Sequence, residues 1–227
     1  MGAVLDLFRV LYEPAAVFER VRERPSWVEP MLGILALYAI IILLMLPFSR
    51  IATEAAIQQA LQQRGGPAGQ APNAGTFVVI GAVVGLIFFC LLLLLGAAIL
   101  WVNTSLFAGA ARFKLLFSVV VYTTIAFILQ QVVSLIVIMM KGKGAIATPD
   151  DLQPALGLDL LFPGAKGFVA GLLKGINPFA VYGYWLTGVG VSVTHKTARG
   201  TGLVVAFVTF AVMLVILAGL YTLQPGH

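Results

Sequence analysis

Ionisable side chains are scarce in this chain: 10% of its 227 residues are charged, against roughly 25% in an average soluble domain. Five long apolar runs hold almost none of them. That scarcity excludes a soluble globular protein. It also argues against ion-coupled transport, which keeps costly charged groups at mid-depth in the membrane. Cysteine is scarcer still. Cys90 is the only one and lies inside the second apolar run, which excludes an intrachain disulfide and a multi-cysteine metal site and leaves a small packing residue. His195 is the only internal histidine, and one imidazole makes neither a metal site nor a triad. The chain lacks His-Glu-x-x-His, a nucleophile elbow, a phosphate-binding Gly-rich loop ending in Lys-Ser/Thr, and paired intramembrane carboxylates. The expectation is a non-enzyme with no catalytic residue, metal or cofactor.

What is present is apolar. Hydrophobic residues make up 60% of the chain, and spans of about 20 residues suffice to cross about 30 Å of hydrocarbon. Expected spans run over about 28–47, 77–102, 115–140, 177–194 and 203–223, giving an all-α, five-helix transmembrane bundle in one domain, 1–227. The net charge of +5 is spread over loops, so it reads as membrane orientation and headgroup contact; no nucleic acid is expected as a partner. The first run has no small-residue cleavage pattern and is read as a signal anchor.

Residues 1–27 form a cytoplasmic amphipathic segment. Val4, Leu5, Leu7, Phe8 and Leu11 share one broad helical face. After a break at Pro14, Val17, Phe18 and Val21 follow it at helical spacing. Two short interfacial helices are expected, ending at Pro25 before Trp27, an aromatic suited to headgroup level. They either rest on the bilayer or cap the bundle, or they offer a docking surface to a cytoplasmic partner. Basic residues before the first span, in the turn at Arg112 and Lys114, and in the turn at Lys196 and Arg199 place those regions in the cytoplasm by their density. On the other side, Ile51–Gln63 reads as a helix continuing from the first span, followed by a flexible loop from Gly65 to Gly75. In the second outer loop, Gly167, Gly171 and Gly175 recur every four residues, a stripe that allows a close helix contact and suggests an interfacial or re-entrant helix.

Three groups are candidate contact residues. Thr123, Thr124, Gln130, Gln131 and Ser134 form a polar stripe on the third span, acting as interhelical glue or as the lining of a lateral groove or lipid site. Tyr182, Tyr184 and Trp185 sit on the short fourth span, among the small-residue pairs Gly183/Thr187 and Gly188/Ser192. They serve packing or hold an acyl chain. Phe18, Arg20, Arg24, Trp27, His195, Lys196 and Arg199 are candidates for partner or headgroup contact.

Leu11-Tyr12-Glu13-Pro14-Ala15-Ala16-Val17-Phe18-Glu19-Arg20, then Arg24-Pro25-Ser26-Trp27-Val28-Glu29-Pro30, resembles the start of the prokaryotic branch of the Yip family, the Ypt/Rab-interacting membrane proteins. Asn177-Pro178-Phe179 through Gly188-Val189-Gly190-Val191-Ser192 is a second match. Tyr182 stands where bacterial relatives often have tryptophan, and the long cytoplasmic N-terminal region of eukaryotic members is missing. The resemblance covers five spans with a cytoplasmic N-terminus; with the basic turns it leads to the expectation of a bacterial inner membrane with the C-terminus periplasmic. In eukaryotic members it implies binding of prenylated Rab GTPases; some bacterial members are associated with export systems. The expected function is a scaffold or adaptor that binds membrane lipids or a partner membrane protein, in membrane organisation or trafficking, with a homo-oligomer compatible. The alternative is an accessory subunit of an exporter or a lipid-handling channel.

Overall fold

The computed structural model describes residues 2–64 and 73–223. Among them the regular structure is helical: α1 (Gly2–Arg9), α2 (Pro14–Glu23), α3 (Val28–Arg64), α4 (Ala74–Ala108), α5 (Phe113–Thr123), α6 (Ile125–Lys141), α7 (Gly167–Gly175), α8 (Pro178–His195) and α9 (Arg199–Tyr221). Four stretches are long and apolar enough to cross a membrane: Val28–Gln62, Ala74–Ala108, Phe113–Lys141 and Arg199–Tyr221. The expected count of five is not reached on those criteria. The expected fourth span does form a helix, α8, but with 18 residues and a Gly, Thr and Tyr content that dilutes its apolarity.

Local chemistry explains where the helices depart from the expected spans. α3 continues through Pro47 to Arg64, so the Ala- and Gln-rich stretch extends the first span as expected. α4 begins at Ala74, inside the loop expected to run to Gly75, because the Asn73 side chain accepts the Gly75 N–H at 2.9 Å and caps the new helix. Residues 65–72 of that loop lie outside the described residues. The expected third span is two helices. Thr123 and Thr124 both turn their hydroxyls back onto the Val120 carbonyl, at 3.1 and 2.7 Å, a competition with the backbone ladder that bends or interrupts helices.

The chain divides into two compact units, Met1–Ala36 with Leu91–Leu129 and Ala155–His227, and Leu37–Cys90 with Gln130–Pro154. In the second unit, Phe48, Ala52, Ile138 and Ile146 form a buried cluster, and the Tyr38 and Phe89 rings meet at 4.5 Å. A capping box closes its loop: the Asp151 carboxylate accepts the Ala147 and Thr148 N–H groups and the Thr148 hydroxyl. Those bonds, the one from Ala147 first, hold the Asp151 carboxyl below its ordinary pKa. In the first unit, Leu100, Leu116, Val191 and Val205 join α4, α5, α8 and α9 in one buried cluster. The N-terminal helices and the α7–α9 region also belong to this unit.

Candidate functional site

The first unit is organised around α8. Asn177 starts the helix by accepting the Ala180 N–H at 2.9 Å, and its amide donates back to the Lys174 carbonyl at 3.1 Å; Pro178 fills the first turn. At the other end Lys196 takes a left-handed conformation, φ 53°, and its N–H closes on the Ser192 carbonyl. Small residues face three neighbours. On the α9 side Gly188 and Gly202 meet backbone to backbone: a Cβ on Gly188 would lie 2.9 Å from Leu203 Cα, and one on Gly202 would overlap the Gly188 carbonyl. On a second side Gly183 lies against Ala126, and the Thr187 hydroxyl donates to Thr123 Oγ1 at 3.1 Å. On a third, Gly190 admits the Phe18 ring and Val119, which would stand 3.0 and 2.6 Å from an added Cβ. A helix wrapped by protein has little lipid to satisfy, so its Gly, Ser and Thr content is tolerated.

The Phe18 contact belongs to a cap built from α1 and α2. Val17, Phe18 and Val21, which share one face by their spacing, are buried, beneath α2 and against α8 and α5. Arg20 grips Asp6 with two hydrogen bonds, Nη2 to Oδ1 at 2.6 Å and Nε to Oδ2 at 3.0 Å; Arg9 approaches the same carboxylate at 3.7 Å. This side-chain bond to Asp6 raises the Arg20 pKa above its ordinary value. The Tyr182 hydroxyl donates to the Leu11 carbonyl, and Arg22 Nη1 to the Val193 carbonyl at 3.3 Å. The cap therefore touches α8 near both ends. α1 has a second apolar side. Leu7 and Val10 are fully buried, whereas Val4, Leu5, Phe8 and Tyr12 stand 42 to 68% exposed. Val4, Leu5, Glu29, Leu32 and Gly33 line an open groove of about 690 Å³.

Gly171 and Gly175 fit their expected role. A Cβ on Gly171 would lie 2.8 Å from Ala218 Cα, one on Gly175 would overlap Leu214, and Lys174 Nζ donates to the Tyr221 hydroxyl at 2.9 Å. Gly167, at φ 56°, has open space around it and takes a left-handed turn at the start of α7 instead. Along α9 the partners run in sequence: Gly171 at Ala218, Gly175 at Leu214, Tyr184 at Phe210 with rings 4.7 Å apart, and Gly188 at Leu203. α7 and α8 thus line α9 antiparallel, one after the other, broken at Ile176–Asn177.

The candidate groups separate. Thr123 and Thr124 are buried and hydrogen-bonded, which makes them packing residues. Gln130, Gln131 and Ser134 are half-buried. Tyr182 stacks on Trp185 at 5.7 Å while its hydroxyl holds the cap, and Arg199 lies over the Trp185 ring, so these aromatics do not converge on one cavity. Phe18 is fully buried and is closed to partner and headgroup alike, because Gly190 leaves room for its ring. Trp27 packs edge-on against Phe117 at 5.2 Å. Arg24, Lys196 and Arg199 are exposed. His195 Nε2 accepts the Arg112 N–H at 3.3 Å and Nδ1 meets Thr194 Oγ1 at 2.9 Å, a pairing that needs the neutral ring; burial first, then the Arg112 charge, lowers its pKa.

Two pairs escaped the reading of the sequence. Asn103 Nδ2 donates to Thr209 Oγ1 at 3.0 Å between α4 and α9, both residues buried. An Asn-Thr pair just past the apolar run that ends at Val102 was the available signal. Asp6 is the other, 7% exposed; the one carboxylate on a mostly apolar α1 was visible, but its partner 14 residues on was not.

A family model described as the Yip1 domain matches residues 8–220. The chain is also similar to a Bacillus subtilis (strain 168) protein named membrane protein YknW, 22% identical over 213 residues that cover 92% of this chain and 87% of that one. No solved structure matches at a significant level.

Proposed function

Because this chain belongs to the Yip1-domain family of integral membrane proteins, we propose that it is a non-enzymatic scaffold or adaptor that engages a partner membrane protein through the cap. The observation that carries this reading is α1, which is apolar on two sides. Leu7, with Val10 in the turn that follows, docks the helix on its own protein; Val4 and Leu5 line the groove, and Phe8 and, beyond the helix, Tyr12 remain exposed. An exposed apolar patch rimmed by polar groups marks a protein or membrane interaction surface, and Glu29 supplies a polar group at the groove. Arg20 and Asp6 keep that helix in place from beneath.

In this reading α7 and α8 together make the fifth crossing, as a broken helix. Broken helices are tolerated in membranes where neighbouring protein satisfies the freed backbone groups, as Asn177 does for Lys174 and Ala180. The basic turns at Arg112, Lys114, Lys196 and Arg199 then face the cytoplasm of a bacterial inner membrane with the cap.

Photocrosslinking in intact membranes tests the adaptor reading. A photoreactive residue at Phe8 or Tyr12 is expected to give a reproducible adduct with one membrane protein, lost when Leu5 and Phe8 are changed to Ser. Adducts only with a second copy of the chain, or none, would remove it. A second reading, an accessory subunit or lipid-handling path, draws on Gln130, Gln131 and Ser134, half-buried polar side chains on α6. It expects Gln130→Leu with Gln131→Leu to impair lipid movement in reconstituted vesicles while leaving the fold intact, and unchanged movement would end it.

A further inference from the structure

The loop that leads into α7 is built unlike a water-exposed loop. Leu160, Leu161 and Phe162 are 58 to 70% exposed, and Phe168 and Val169 on α7 are exposed beside them. Five large apolar side chains thus stand outside within ten residues. The backbone that carries the first three is closed upon itself. The Leu160, Leu161, Phe162 and Ala165 N–H groups donate to the carbonyls of Gly157, Leu158, Asp159 and Phe162 at 3.0 to 3.3 Å, and the Gly157 N–H donates to the Asp159 carboxylate at 2.9 Å. The Leu158 N–H seals the Ile176 carbonyl at the helix break, at 3.1 Å. Gly157 lies against the break so closely that a Cβ would fall 2.6 Å from that carbonyl.

Exposed apolar side chains suit a low-dielectric surface. The N–H groups of Leu160, Leu161 and Phe162, which carry the most exposed of them, are spent within the loop, as lipid requires since it offers no partner to a free N–H. Position agrees. α9 has 23 residues, about 34 Å at 1.5 Å per residue, against about 30 Å of hydrocarbon. Its last turns, where α7 packs at Leu214 and Ala218, therefore lie within one leaflet, and Val215, Leu217 and Leu220 on the same turns are exposed apolar groups. Because α7 packs on those turns, its exposed Phe168 and Val169 stand at the same depth.

We propose that residues 157–169 form a membrane wedge: Leu160, Leu161 and Phe162 insert into the headgroup and upper acyl region of the leaflet that holds the C-terminal end of α9, while Lys166 reaches back to the phosphates. The occupant of this patch is phospholipid. A wedge in one leaflet displaces headgroups locally, which gives the protein a grip on lipid packing that is separate from the cap.

The test uses full-length protein in phospholipid vesicles, with Cys90→Ala and a single nitroxide-labelled cysteine at Leu161 or Phe162. Val84→Cys, on the exposed apolar surface of α4, serves as the lipid reference and Gln59→Cys as the water reference. The wedge predicts labels at both loop positions that relax several-fold more with oxygen than with a water-soluble nickel chelate, approaching the Val84 reference, with Lys166→Cys favouring the chelate. Equal access to the chelate at Leu161 and Gln59 would overturn it. So would labels reached by neither reagent, which would mean that protein rather than lipid covers the patch.

Discussion

Gly190→Ala adds one methyl group at the contact that seats the cap on α8. The added Cβ would lie 2.6 Å from Val119 Cγ1 and 3.0 Å from Phe18 Cζ, with Val119 and Phe18 both fully buried. Neither neighbour has space to retreat, so the substitution is expected to cost about 1–3 kcal/mol, the range for overpacking a filled core. Val119→Ala removes two buried methyl groups at ~0.8 kcal/mol each and adds a cavity term, about 2 kcal/mol together. The double variant moves a methyl from one side of the contact to the other. Its cost should fall below the sum of the singles by about 1 kcal/mol or more, the coupling expected of residues in direct contact. Unfolding of the purified protein in mixed detergent micelles, titrated with dodecyl sulfate and followed by circular dichroism, measures all three. Gly81→Ala on α4 is the control, since nothing stands within 4 Å of its added Cβ. It should be neutral or stabilising by about 0.5–1 kcal/mol, from helix propensity alone. Additivity of Gly190→Ala and Val119→Ala within about 0.5 kcal/mol would refute the close contact of α8 with α5 at Gly190.

Arg20→Ala strands the nearly buried Asp6 carboxylate. With the Arg20 side chain 45% exposed, solvent screening holds the cost to about 1–3 kcal/mol; amide exchange should accelerate across α1 and α2, and wild-type exchange there would contradict the ion pair. Arg20→Lys should restore only part of that protection, because an ammonium lacks the bidentate fork. Asn103→Leu should cost only about 0.6–1.7 kcal/mol, the measured scale for interhelical bonds in membranes, since the Thr209 hydroxyl keeps its bond to the Val205 carbonyl; a larger loss would mean that Asn103 does more than join α4 to α9. His195 has a lowered pKa in the folded state, so its contribution is present above the unfolded value of about 6.5 and is lost as pH falls through the folded value. Stability measured from pH 7.5 down to 5 should decline in the wild type and less in His195→Gln, and parallel profiles would exclude the imidazole as the cause.

The features legible in the sequence were those set by local pattern. Apolar runs gave α3, α4 and α9, and spacing around Pro14 gave the two N-terminal helices with Val17, Phe18 and Val21 on one face. The Gly171–Gly175 stripe and the small-residue pairs of α8 announced close contacts, which the structure fills with α9 and with the junction of α5 and α6. What stayed hidden depends on partners distant in the chain. Phe18 reads as a surface aromatic until Gly190 is placed beneath it, and α8 reads as a weak span until its three protein neighbours are known. The polar stripe of the third span looked continuous because helical spacing assumes a continuous helix, and the hydroxyls of Thr123 and Thr124 break that assumption.

Single-cysteine labelling tests most directly the claim that α7 and α8 cross the membrane together, lining α9. Lys166→Cys, Lys196→Cys, Arg24→Cys and Thr222→Cys, each in the Cys90→Ala background, are exposed in oriented membranes to a membrane-impermeant maleimide applied to one side at a time. The account predicts that Lys196 and Arg24 label from one side, and Lys166 and Thr222 from the other. Labelling of Lys166 and Lys196 from the same side would contradict it.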